Sequence, residues 1–254
     1  MTILIGMCAL LGLVVGSFLN VVIYRIPRHE SVVSPRSACP TCATPIIGRD
    51  NIPVLSWLLL RGHCRQCHGP ISWHYPFIEV LCAGLFAGAS ARLGASWALP
   101  AFLVALAGLL ALASIDLTQL LLPKAIVYYT LAIESALLLA TTIIDHQWRQ
   151  LLIAAGCALA WFLFFYLLNL LSPRILGFGD VRLAPLLGLT LGWLGVRYVF
   201  LGFFVANLLG ALIGLTLIAT KRIRRDQPVP YGTFLALGAG VAIYAGPVLL
   251  APFH

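Results

Sequence analysis

Eight carboxylates serve the whole 254-residue chain, and four of them fall where ionisable groups are costly and usually functional. Glu79, Asp116, Glu134 and Asp180 lie within or at the ends of hydrophobic segments. Glu30, Asp50, Asp145 and Asp226 sit in polar stretches and read as ordinary solvated acids. Asp116 closes the run Ala113-Ser114-Ile115-Asp116-Leu117-Thr118, just before Leu122-Pro123, and Asp180 lies in Gly177-Phe178-Gly179-Asp180-Val181-Arg182. Two aspartates from separate helices at matching depth suit peptide-bond hydrolysis. One carboxylate activates water while the other, still protonated, donates to the scissile carbonyl. Adjacent like charges resist ionising together, so such a pair titrates in two steps. The same residues also suit ion coupling in a transporter or a structural carboxylate pair. Gly177 and Gly179 permit close backbone approach or a bent helix start, and they fit a plain helix cap as well. Glu134 is expected to face another helix or a water-filled cleft.

A second constellation is built from sulfur. Cys39-Pro40-Thr41-Cys42 and Cys64-Arg65-Gln66-Cys67 form two C-x2-C knuckles separated by twenty-one residues. Cys39, Cys42, Cys64 and Cys67 thereby offer four thiolates to a structural zinc ion, which prefers four tetrahedral ligands. Disulfides and free redox thiols are the competing readings, and a reducing cytosol disfavours the first. His63 and His68 flank the second knuckle and read as solvent-facing neighbours. Cys8, Cys82 and Cys157 fall in apolar spans, where cysteine behaves as a small packing residue.

The elements that must position these groups follow from composition. Apolar residues make up 61% of the chain and charged ones 9%, far below the roughly 25% of soluble domains. Mean hydropathy is +1.00. A water-soluble globule is excluded on that balance. Since a bilayer core takes about 20 apolar residues per helix, eight spans are expected, near 3–24, 76–91, 97–115, 123–144, 150–171, 182–197, 198–220 and 231–252. The first lacks a basic leader and a small-residue cleavage site, and reads as an uncleaved span. Helices are the expected form because lipid offers no partner to an open sheet edge. The fold class is therefore an all-α polytopic membrane protein. Its organisation is a first transmembrane helix (1–24), a small cysteine-rich, zinc-knuckle-like domain (25–75) and a transmembrane domain carrying the aspartates (76–254).

Orientation comes from the basic residues. With the N-terminus outside, thirteen Lys and Arg residues face the cytoplasm, against Arg92, Arg149 and Arg197 outside. This puts the cysteine loop and both aspartates on the cytoplasmic side. The net charge of +8 is then explained by anionic lipid headgroups without nucleic acid, and the Lys221–Arg225 cluster reads as such an anchor. The loop is rich in proline and glycine and has little apolar core, so a metal would supply much of its folding energy. Trp57 and Trp73 are expected to act as core or interfacial anchors.

Taken in order, these segments resemble the prepilin peptidases, or type IV leader peptidases. Gly16-Ser17-Phe18-Leu19-Asn20-Val21-Val22-Ile23-Tyr24-Arg25 is similar to the family's first-span motif. The stretch from Cys39 through Asn51-Ile52-Pro53-Val54-Leu55-Ser56-Trp57 to Tyr75-Pro76 and Glu79 resembles its cysteine domain. Asp116 and Asp180 stand at positions similar to its two catalytic aspartates, the second in a G-x-G-D-x-K/R pattern. Pro230-Tyr231-Gly232-Thr233-Phe234-Leu235-Ala236 resembles its closing motif. Two positions depart from the pattern. Lys124 follows Pro123 where the family often has Asp or Asn, and Arg182 stands where Lys is commonest. Both would keep a cation near the dyad.

The resemblance implies a bacterial inner-membrane aspartic endopeptidase acting on type IV prepilins or type II secretion pseudopilins at the cytoplasmic membrane face. Members with this cysteine loop are often bifunctional and also N-methylate the new amino terminus with S-adenosylmethionine. No G-x-G-x-x-G fingerprint marks a site for that cofactor. Glu79 resembles a family position; a helix-start acid complementing the helix dipole is its simpler reading. Two other functions stay open on the residues alone. One is an ion-coupled transporter, although no inverted repeat of broken helices supports it. The other is a membrane-anchored zinc module without catalysis.

Overall fold

The computed structural model of the chain describes residues 1–39, 41–171, 177–221 and 229–251. Pro40, Arg174, Arg222, Arg224, Arg225, Asp226 and the last residue of the eighth expected span lie outside these described residues. The described residues are helical apart from turns and two isolated bridges. The helices are α1 (Thr2–Arg25), α2 (Leu55–Leu59), α3 (His74–Leu93), α4 (Leu99–Gln119), α5 (Lys124–Asp145), α6 (Trp148–Leu171), α7 (Phe178–Leu194), α8 (Val196–Ala219) and α9 (Tyr231–Leu250). All but the short α2 fall on the eight expected spans. The chain divides into two compact units, Met1–Ala95 and Ser96–His254.

In the first unit α1 packs along α3. Gly16 makes this contact close: a Cβ there would meet the Glu79 Cα at 2.7 Å, so the two backbones touch. Small residues serve this purpose in lipid, where packing rather than hydrophobicity drives helix association. Asn20 adds a polar tie, its Nδ2 donating to the Tyr75 carbonyl at 3.1 Å. Between the two helices, the loop carries only the short α2 and two single 3-10 turns at Ile26–Arg28 and Gly48–Asn51. Trp57 donates its indole N–H to the Ile71 carbonyl at 3.1 Å and packs over Gly62, tying α2 to the chain that enters α3. Trp73 is exposed and stacks edge-on against Phe77 at the start of α3, so it is not a core residue.

In the second unit α7 is surrounded by α4, α5, α6, α8 and α9, and most of its residues are buried. Seven described helices are long and apolar enough to cross a membrane; α7, with 17 residues, is not among them. It also begins at Phe178 and ends at Leu194, a shift toward the N-terminus from the expected 182–197. Two residues explain the ends. Gly177 is the N-cap, and Gly195 stops the helix at φ 129°, a conformation essentially confined to glycine. α7 nevertheless runs from one end of the second unit toward the other. Its start and that of α9 both lie beside Asp116, and the 24-residue α8 connects back between them. Seventeen residues span about 26 Å, slightly less than a hydrocarbon core of about 30 Å. A helix sheathed by protein need not match the lipid thickness.

Candidate active site

Asp116 lies one turn before the end of α4. Pro123 disfavours helical backbone at Leu122, and Leu120 closes the helix in the left-handed region, its N–H donating to the Asp116 carbonyl at 2.9 Å. Asp180 lies in the first turn of α7, where the Gly177 N–H reaches its carboxylate. These two helix ends meet. The aspartates are 5% and 8% exposed, and the charge of Asp116 bears directly on Asp180.

The third wall is the start of α9. The Thr233 N–H donates to Asp116 Oδ2 at 2.8 Å, the Thr233 hydroxyl lies 3.2 Å from the same oxygen, and the Gly232 N–H also bonds the carboxylate. The first N–H groups of a helix have no partner within it. Asp116 therefore caps a helix other than its own, with Oδ2 held as an acceptor. Gly232 is required by this approach: a Cβ there would lie 2.9 Å from Leu122 and 3.1 Å from Asp116 Oδ2. Leu122 also packs on Gly179, whose Cβ position is 3.1 Å away, so this one side chain wedges between the starts of α7 and α9. Gly177 has an ordinary φ of −67° and acts as a cap without strain.

The expected supporting cations are placed differently. Lys124 is exposed at the start of α5, and the Arg182 guanidinium stacks on the Phe178 ring, 4.8 Å from its centroid. Among the described residues neither forms an ion pair with Asp116 or Asp180. Thr233 and Gly232 had no assigned role in the sequence. A threonine opening an apolar helix was the available signal. Thr233→Val retains the N–H donor and removes the hydroxyl. It is expected to lower the rate of any dyad chemistry about tenfold, the worth of one hydrogen bond to a charged group, with KM little changed. Steady-state kinetics will read that split.

Glu134 lies apart from this pair, in the middle of α5, with no exposure at all. Its Oε1 is 2.7 Å from the Thr190 hydroxyl of α7, and its Oε2 has no hydrogen-bond partner among the described residues. The expectation that it faces another helix is met. Glu134→Gln is expected to leave the melting temperature nearly unchanged, because the amide still accepts from Thr190. Glu134→Ala should lower it by an amount equivalent to about 2 kcal/mol or more, through the cavity left behind. Thermal unfolding in detergent separates the two.

In the first unit, the four sulfurs of Cys39, Cys42, Cys64 and Cys67 lie within 4.8 Å of one another. Cys39 and Cys67 are 3.8 Å apart, the separation of two ligands on a tetrahedral zinc with bonds of about 2.3 Å, and far from the roughly 2.05 Å of a disulfide. The two knuckles repeat one design. The Cys39 N–H donates to the Thr44 carbonyl and the Cys64 N–H to the Gly69 carbonyl, while Ala43 and His68 both turn at positive φ. Backbone N–H groups of Cys42 and Thr41 hold the Cys39 thiol below its ordinary range, and those of Cys67 and Gln66 do so for Cys64. At Cys67 the Gly69 N–H acts in the same sense, but the crowding sulfurs, Cys42 first, push it up to about 11. Four sulfurs this close require a cation before all can be thiolates. The donor set fits zinc, and His63 and His68 are exposed outside it.

Glu79 differs from its simpler reading. It sits in the second turn of α3, 7% exposed, and accepts the Val54 N–H at 2.7 Å and the Ser17 hydroxyl, so it orders the loop rather than its own helix start.

An all-helical multi-pass bundle with two buried aspartates meeting at one end defines a polytopic membrane protein with a carboxylate-pair site. Residues 10–93 match the Bacterial Peptidase A24 N-terminal domain, and residues 103–215 match the Type IV leader peptidase family. A "Prepilin leader peptidase/N-methyltransferase" of Aeromonas hydrophila is 33% identical, over 93% of this chain and 89% of that protein. Proteins of the same description from Bacillus subtilis (strain 168) and Burkholderia pseudomallei (strain 1026b) are each 34% identical. The first alignment covers 94% of both chains, the second 96% of this chain and 85% of the other. No solved structure matches the chain. The chain belongs to the type IV leader peptidase family.

Proposed function

We propose that this protein is an inner-membrane aspartic endopeptidase that removes leader peptides from type IV prepilins or type II secretion pseudopilins at the cytoplasmic face, with Asp116 and Asp180 as its catalytic pair. The supporting observation is the meeting of two carboxylates, 64 residues apart in the chain, at the ends of α4 and α7. Asp116 Oδ2 is engaged by α9, which leaves Oδ1 to accept a proton from water. The water oxygen then attacks the scissile carbonyl carbon while Asp180 donates its proton to the carbonyl oxygen, giving a neutral gem-diol. Collapse returns a diol proton to Asp180, breaks the C–N bond and passes the proton on Asp116 to the leaving amine. Both carboxyls end in their starting states.

The thirteen-to-three bias of basic residues supports the cytoplasmic placement of the pair and of the cysteine loop. In that compartment the four cysteines would hold a structural zinc ion. A second activity belongs to the same reading: N-methylation of the new amino terminus, for which S-adenosylmethionine supplies an electrophilic methyl group. The test is to mix the purified protein with a synthetic prepilin and S-adenosylmethionine and weigh the products. Loss of the leader and a gain of one methyl group are expected. An intact precursor with a well-folded enzyme would overturn the peptidase reading and turn attention to ion flux in proteoliposomes.

A further inference from the structure

Midway along the apolar α8 stands an amide, Asn207, about 16 Å or more from either end of the helix. It is exposed, and the cleavage chemistry does not use it. A polar side chain at membrane depth is costly and usually functional. What it faces is the start of α9. Gly202 and Gly238 let the two helices touch: a Cβ at Gly238 would collide with the Gly202 carbonyl and lie 2.9 Å from the Ala206 nitrogen. A Cβ at Gly210 would likewise lie 3.3 Å from the Phe234 ring. This packing brings the Tyr231 hydroxyl to Asn207 Oδ1, to which it donates at 3.4 Å.

The amide is left half used. Its Nδ2 donates one hydrogen to the Phe203 carbonyl at 2.8 Å, which fixes the amide plane and keeps Oδ1 toward Tyr231. One N–H and one Oδ1 lone pair remain. A strand edge binds an extended peptide with the same donor and acceptor set. The neighbourhood is the dyad. Tyr231 directly precedes Gly232, whose N–H bonds the Asp116 carboxylate, and the charge of Asp180 bears on the Tyr231 hydroxyl. Among the described residues no hydrogen bond joins that hydroxyl to Asp180, so the two are near without closing on each other.

We propose that Asn207, steered by Tyr231, binds a backbone peptide group of the precursor close to the scissile bond. The proposal rests on the peptidase reading and adds to it two residues that position the substrate. The physical reason lies in the precursor. A peptide bond presented for hydrolysis must leave the helix, and each unwound residue then exposes an N–H and a C=O that lipid cannot satisfy. Asn207 accepts such an N–H on Oδ1 and gives its free N–H to the carbonyl of the same residue. The segment is thereby held extended at the level of the two aspartates.

Purified wild type, Asn207→Leu and Tyr231→Phe can be compared on a synthetic prepilin in detergent. Asn207→Leu is expected to lower kcat/KM about tenfold, the worth of one hydrogen bond, with a melting temperature no lower than wild type. Tyr231→Phe only frees the amide and should cost about threefold. Precursors with one backbone N–H replaced by an ester oxygen, at positions flanking but outside the scissile bond, identify the contact. One such ester is expected to be cut about tenfold more slowly by wild type, yet no more slowly than the unmodified precursor by Asn207→Leu. Equal ester sensitivity in the two proteins, or normal cleavage by Asn207→Leu, would overturn the proposal and leave the peptidase standing. Full activity in Tyr231→Phe would overturn its steering role. No cleavage of the unmodified precursor by well-folded wild type would overturn both the proposal and the peptidase reading.

Discussion

Asp116→Asn and Asp180→Asn are each expected to reduce leader cleavage by at least about 10²–10⁴-fold, the worth of one general acid–base group, while the protein still inserts and folds. The reason differs between the two. At position 116 the amide keeps an oxygen that can accept the Thr233 N–H, so the start of α9 stays capped, but it can no longer take a proton from water. At position 180 the amide cannot serve as a carboxylic acid donor to the carbonyl oxygen. Because the two groups act on one transition state, the double variant should be scarcely slower than either single one. Mass spectrometry of a synthetic prepilin after long incubation measures the rates, and melting temperature in detergent checks the fold. Normal processing by either variant would sink the dyad. Ion flux lost with the same substitutions would point to a transporter instead.

The second large effect concerns the cysteines. The purified protein is expected to carry one zinc per chain, and chelation or Cys64→Ser should remove it and open the loop to trypsin at Arg49, Arg61 and Arg65. Apart from the hydrogen bonds of Glu79 to Val54 and of Trp57 to Ile71, few other forces hold this loop. Among its described residues, α2 has five residues, two 3-10 turns are shorter still, and one exposed ion pair, Arg65–Asp50 at 2.7 Å, ties the knuckle to residue 50. An exposed pair of this kind contributes little, against apparent binding free energies of about 10–16 kcal/mol for structural zinc in small domains. Cleavage chemistry should suffer less than loop order, because no cysteine belongs to the carboxylate pair. Metal analysis and limited proteolysis decide the matter. A metal-free protein with a trypsin-resistant loop would overturn the zinc assignment; hydrolysis abolished by Cys64→Ser with fold and metal intact would overturn the ranking of loop order over cleavage.

Some of this molecule is written in local sequence. Runs of about 20 apolar residues are helices because lipid leaves the backbone no other partner, and so eight long helices sit where hydropathy places them. The knuckle spacing fixes which sulfurs can meet, since a C-x2-C turn brings its own pair together by local geometry. The rarity of acids in apolar segments singles out Glu79, Asp116, Glu134 and Asp180.

What those acids touch was not legible, because each partner lies far along the chain. Asp116 meets Thr233, 117 residues away, Glu134 meets Thr190 at 56, and Glu79 meets Val54 at 25. Helix periodicity says nothing of such pairings; they depend on which helix ends the bundle gathers. The same holds for Lys124 and Arg182, close to the aspartates in sequence yet turned to solvent and to Phe178. The position of α7, not its length, differed from expectation, because Gly177 and Gly195 rather than apolarity set its ends. Composition and spacing thus determined the membrane class, the helices and the candidate groups. Tertiary packing alone decided that α4, α7 and α9 bring their ends together and surround two carboxylates with backbone N–H donors.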